Sequence, residues 1–142
     1  MASNKGDVTV LPCSNNSKPF IFQAITTSEA RKIGSQSIGI EDLTATGNIA
    51  SVACRAGVVK LFKLKREKAE EINSFDAVGV NCATLSKRAE NICLNGAGMG
   101  TRVIDINYNK ILFENQHYNQ VKSHFGPENN IILIAKQSKP QL

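Results

Sequence analysis

The 142-residue sequence predicts an α+β domain, a mostly antiparallel sheet with about two packed helices near 63–74 and 115–125. Three observations predict it. Short β-branched and apolar runs recur between turn residues. Two stretches, 58–75 and 115–125, space apolar residues as one face of a helix does. A hydrophobic fraction of 42% suits a chain that buries a core, and with 6% aromatics that core is mainly aliphatic. Residues 1–142 read as a single globular domain with short polar termini, with no internal repeat, low-complexity tract or linker evident.

Val8-Thr9-Val10-Leu11 predicts a short strand ended by Pro12 and the polar loop 14–17. A second strand is expected over 20–26, because Phe20-Ile21-Phe22 is apolar and Pro19 suits a strand's first position. Thr27-Ser28-Glu29 then opens a short helix that Gly34 stops. Residues 34–48, with three glycines, predict an irregular connection holding at most a brief strand at 38–40. Ile49–Cys54 alternates as a strand does, up to Ala56-Gly57.

Strand alternation fails over 58–75, because Val58-Val59 and Leu61-Phe62 are adjacent apolar pairs. On a helix Val58, Leu61, Phe62, Ala69 and Ile72 share one face, and KLKREKAEE consists of strong helix formers. A helix is therefore expected over 63–74, with 58–62 left open as the second arm of a hairpin turning at Ala56-Gly57. Further strands are expected at 77–84, 92–94, 102–107 and 111–113. The next expectation is a helix over 115–125, with Tyr118, Val121 and Phe125 on one face and Gly126-Pro127 at its end. The apolar run 131–135 reads as a central buried strand.

Composition narrows function. No segment approaches the ~20 apolar residues of a membrane helix, and the polar start MASNKG lacks a secretory signal's apolar core. An intracellular, cytoplasmic protein with no membrane partner is expected, and its four cysteines read as reduced. The net charge of +5 arises after residue 46: 47–90 carry eight basic and five acidic groups, 91–142 five and three. Such a surplus favours a polyanion partner.

The motif NGAGMGTR at 95–102 raises the question of a phosphate cradle. Gly96, Gly98 and Gly100 with Arg102 form a candidate anion-binding loop. However, Thr101–Tyr108 alternates as a strand, whereas nucleotide loops lead into a helix, and no Lys-Ser or Lys-Thr follows. A hairpin turn is the simpler reading. Cys82 and Cys93 with His117 and His124 lack the close spacing of a zinc site, and nothing marks a nucleophile or a carboxylate pair, so neither metal, cofactor nor catalytic residue is assigned.

The leading expectation is therefore a non-enzymatic basic protein that binds the phosphate backbone of RNA or DNA, or serves in assembly, a small viral structural or accessory protein being one form. Lys63, Lys65, Arg66, Lys87, Arg88 and Arg102 are its candidate contacts, within a wider cluster that includes Lys60 and Lys68. Self-association through a sheet edge accompanies it. The alternative is a small enzyme or ligand-binding module using the glycine loop with Arg102, its ligand unknown.

Overall fold

A computed structural model describes residues 5–13, 18–117, 122–126 and 130–134, of which 132–134 by backbone alone. The chain is built almost entirely of antiparallel sheet. Its strands are β1 (Asp7–Val10), β2 (Phe20–Gln23), β3 (Ile40–Thr46), β4 (Ile49–Cys54), β5 (Val58–Lys65) and β6 (Lys68–Asp76). They continue with β7 (Val80–Leu85), β8 (Asn91–Gly96), β9 (Gly100–Asp105), β10 (Lys110–Asn115), β11 (Lys122–Phe125) and β12 (Ile131–Ile134). One helix, α1 (Thr27–Lys32), is present among the described residues. None there is long and apolar enough to cross a membrane.

The α+β expectation with two packed helices is thus overturned. Residues 63–74 belong to the β5–β6 hairpin, which turns at Arg66-Glu67, where Glu67 takes φ +60°. The adjacent pairs that broke the strand pattern have a physical reason. The sheet is covered on both sides, so Val58 and Phe62 face one core while Val59 and Leu61 face another. Burial on both faces erases alternation, and the helix-forming residues of β6 are held extended by pairing such as Lys63 opposite Glu70. Residues 115–125 span the end of β10 and all of β11; Tyr118 and Val121 lie outside the described residues.

Other expectations shift less. Residues 40–46 of the supposed irregular connection form β3, the first strand of a sheet. Helix α1 starts at Thr27 as read, with Thr26 as its cap in a reciprocal box with Glu29. The run at 131–134 pairs with β11 as the second strand of a hairpin. The polar loop 14–17 lies outside the described residues.

Strands β3-β4-β5-β6 and β7-β8-β9-β10 make two four-stranded meanders in sequence order. They stack face to face over Ala53, Val59, Leu61 and Phe75 from the first and Ala83, Leu85, Ile92, Leu94 and Ile104 from the second. The first strands of successive layers lie together, β3 beside β7 and β7 beside β11. The same hydrogen bond recurs at each step. Thr44 Oγ1 of β3 donates to the Ala83 carbonyl of β7 at 3.0 Å, and Thr84 Oγ1 of β7 donates to the Ser123 carbonyl of β11 at 3.2 Å. Both donors and both acceptors are separated by forty residues, so a structural repeat runs through a chain whose sequence hides it. On the first sheet's other face, the β1–β2 hairpin and α1 pack Val8, Ile25 and Ala30 against Val52, Cys54 and Phe62.

This layout is that of blades in a β-propeller, four-stranded meanders stacked radially with their first strands innermost. The described residues supply two complete blades, the outer pair of a preceding one (β1–β2) and the inner pair of a following one (β11–β12).

Candidate functional site

Antiparallel meanders place alternate turns at opposite ends. The β3–β4, β5–β6 and β7–β8 turns share the upper end: Leu64 N donates to the Asn48 carbonyl at 2.6 Å, and Thr46 Oγ1 donates to the Lys87 carbonyl at 2.6 Å. The β4–β5 and β6–β7 turns share the lower end, where Ala77 N donates to the Gly57 carbonyl at 2.9 Å.

Five of the six candidate contacts occupy the upper end. Lys63 and Lys65 close β5, Arg66 sits in the β5–β6 turn, and Lys87 and Arg88 sit in the β7–β8 turn, all exposed. Lys68 adds a further exposed cation at the start of β6. Carboxylates interleave with them: Lys65 pairs with Glu70, whose carboxyl it holds below its ordinary value.

Arg102 is elsewhere. It lies low on β9, facing the first sheet, where its guanidinium donates to the Asp76 carbonyl at 3.4 Å and meets Glu114 at 3.5 Å. Strand register, which the charge pattern does not reveal, decides this. Lys60 leaves the surface cluster as well. It points into the core beneath β1–β2, 5% exposed, where its ammonium is held by Glu29 of α1 and, at 2.7 Å, by Glu71 of β6. Burial opposes that charge, but the two carboxylate hydrogen bonds prevail and raise the Lys60 pKa above its ordinary value.

The glycine motif forms the β8–β9 hairpin, with Gly96 opposite Gly100. Gly96 and Gly100 are needed for close backbone packing: a Cβ on Gly96 would stand 2.1 Å from the Gly79 carbonyl oxygen, whereas Gly98 turns at φ +81° in open space. Met99 of the turn is buried in the core between the sheets. This is the geometry of a structural turn.

The cysteines are all free thiols. Burial raises Cys54 to about 11 and also raises Cys82 and Cys93, which keeps them protonated and poorly nucleophilic. No group of three or more metal-ligating side chains occurs among the described residues. His117 and His124 sit apart on the surface, the first after β10 and the second on β11.

Charge and motif arguments had no means of finding one further feature. An apolar groove of about 210 Å³ runs between β1 and the inner half of the first sheet, lined by Val8, Val10, Leu11, Leu43, Ala45 and Ala50. Leu11 is 65% exposed, and Ala45 is exposed too.

The site thus belongs to stacked four-stranded meanders that carry a basic end and an apolar groove among the described residues. No protein-family model and no curated protein matches the sequence. Among solved structures the chain is similar to the computationally designed Ika4 protein, at 16% identity and a TM-score of 0.51, over 86% of this chain and 81% of that one. At that identity the likeness concerns fold alone.

Proposed function

We propose that the protein is a non-catalytic binding module whose upper end contacts the phosphate backbone of a nucleic acid. The carrying observation is the gathering of Lys63, Lys65, Arg66, Lys87 and Arg88 from the ends of two hairpins onto that one end. Turns suit this task because their side chains project past the sheets and follow an irregular anionic backbone without cost to the core. Ion pairing within the cluster limits the net charge, which favours modest, salt-sensitive binding of no sequence preference.

The test is binding to single- and double-stranded RNA and DNA across about 50 to 200 mM salt. Five phosphate contacts correspond to a slope near −4.5 in log K against log salt for duplex DNA, from about −0.9 per contact. Replacing Lys63, Arg66, Lys87 and Arg88 by Glu is expected to abolish binding, while Arg102→Gln leaves it in place. Failure to bind at 50 mM salt refutes the reading.

A further inference from the structure

We propose that the outer edge of the second sheet is a dimerisation surface, on which β10 of one copy lies antiparallel to β10 of a second copy across a two-fold axis at Leu112. The nucleic-acid reading rests on other residues, so either can fail without the other.

The two four-stranded sheets end on different kinds of edge. Strand β6 ends the first and β10 the second, and among the described residues β10 pairs with β9 alone. On β6 the exposed positions are Lys68, Glu70, Glu71, Ser74 and Asp76 around a single apolar residue, Ile72. Charge of that kind keeps an edge from pairing with another chain. The centre of β10 carries the opposite pattern. Ile111, Leu112 and Phe113 follow one another and are 48%, 53% and 43% exposed. Such a run of large apolar side chains on an edge is costly to leave in water, and a second strand can cover it.

The flanks of that run select the occupant. Lys110 precedes it and Glu114 follows it, both exposed. Read in reverse, Lys-Ile-Leu-Phe-Glu keeps its apolar centre and exchanges its two charges. A two-fold contact sets residue i against j and j against i, so it needs a segment complementary to its own reversal. With the axis at Leu112, Lys110 of each copy stands opposite Glu114 of the other, and Ile111 stands opposite Phe113. Each side of the axis thus holds an ion pair and an apolar pair, the kinds of cross-strand pair that stabilise antiparallel strands. A parallel, in-register arrangement would instead set Lys110 beside Lys110 and Glu114 beside Glu114. A uniformly acidic or basic strand from another protein would match one end and clash with the other. A second copy matches both.

The backbone of β10 suits an axis at this place. Its register with β9 shifts between Ile111 and Phe113, and Leu112 is the residue with no register partner on β9. The extra residue of a bulge is the one least committed to its own ladder. Pairing therefore falls to the flanks, with Leu112 meeting its own copy on the axis between them. Glu114 has room to take part, because its contact with the Arg102 guanidinium is long, at 3.5 Å, and its side chain is 38% exposed.

The experiment is sedimentation equilibrium of the full chain at low ionic strength, where charge pairs are least screened, over a hundredfold range of concentration. The mass is expected to rise from 15.4 kDa to twice that value and no further. Lys110→Glu sets Glu against Glu, and Glu114→Lys sets Lys against Lys, so each alone is expected to raise the dimer Kd about tenfold or more. An equimolar mixture of the two variants restores opposite charges at every pair and is expected to dimerise as the wild type does. A chain that had merely misfolded could not be rescued by mixing. Leu112→Lys, on the axis and exposed, is expected to give a monomer with unchanged far-ultraviolet circular dichroism. A wild type that stays at 15.4 kDa throughout overturns the proposal, including the case in which this edge takes a strand of another protein. A dimer untouched by either charge reversal overturns it too, because its interface lies elsewhere, and so does a mixture no tighter than its components.

Discussion

Lys60 offers a sharp test of how this protein accommodates a charge in its core. Its side chain is 7% exposed, whereas those of its partners Glu29 and Glu71 are 43% and 46% exposed. The two ways of breaking the triad should therefore differ. Replacing Lys60 by Met keeps the volume of the stem and leaves two carboxylates that water can reach, so the expected cost is under about 1.5 kcal/mol. Replacing both Glu29 and Glu71 by Gln strands an ammonium in the core, for which the cost is about 3–5 kcal/mol. Gln at 29 still serves the helix-cap box, so the second figure is not a capping loss. With a urea slope near 2 kcal/mol/M, the double variant loses about 1.5 M or more in midpoint and Lys60→Met less than about 0.8 M.

The triad also sets a pH signature. The carboxyl of Glu29 is pushed up by burial, but the hydrogen bond and charge of Lys60 outweigh that and hold it below its ordinary 4.5. A group with a depressed folded pKa contributes stability above the unfolded value and loses it as pH falls through the folded one. The gap between wild type and Glu29→Gln should accordingly be full above pH 4.5 and shrink on further acidification. Lys60, raised above 10.5, contributes up to that pH and loses its share as pH climbs through the folded value. A Lys60→Met variant less stable than the Glu29→Gln/Glu71→Gln double variant would refute the reasoning.

Two further expectations concern the glycine hairpin and the thiols. Gly96→Ala drives a methyl into the Gly79 carbonyl and should cost at least about 2 kcal/mol in urea denaturation. Gly98→Ala, at φ +81° in open space, should cost only the left-handed penalty of about 1–2 kcal/mol, and equal losses would remove the packing argument. In native protein at pH 8, a thiol-reactive chromophore should label Cys13 promptly, Cys82 slowly, and Cys54 and Cys93 only after unfolding. Prompt labelling of Cys54, whose pKa stands near 11, would contradict its burial.

How far the sequence could be read depended on what each residue faces. Strands marked by turn residues or by alternation were legible, such as Ile49–Cys54 ahead of Ala56-Gly57 and the alternating Phe20–Gln23 after Pro19. Val58–Leu64 was legible only in part, with 58–62 left open as the hairpin arm that β5 proves to be, because a strand covered on both faces shows adjacent apolar pairs that imitate a helix stripe. The basic residues were legible as candidates, but their meeting at one end was not, because hairpin pairing rather than charge spacing brings Lys63, Lys65 and Arg66 to the same end as Lys87 and Arg88. Arg102 and Lys60 were misplaced because their side of the sheet depends on pairing. The repeat was invisible because its clearest marks, Thr44 with Thr84 and Ala83 with Ser123, repeat the place of a hydrogen bond in the fold.

The order of the strands bears on how the protein is made. Each sheet is a meander of consecutive hairpins, so its pairing closes only short loops, and that keeps the entropic barrier to forming it low. The first sheet is complete once residue 76 is available, and it then presents a finished surface on which β7 can nucleate the second. Assembly can therefore follow synthesis layer by layer, each new layer using the last as its template. A ribosome-paused chain ending beyond Asp76 should already hold protease-resistant structure, well before the second blade exists.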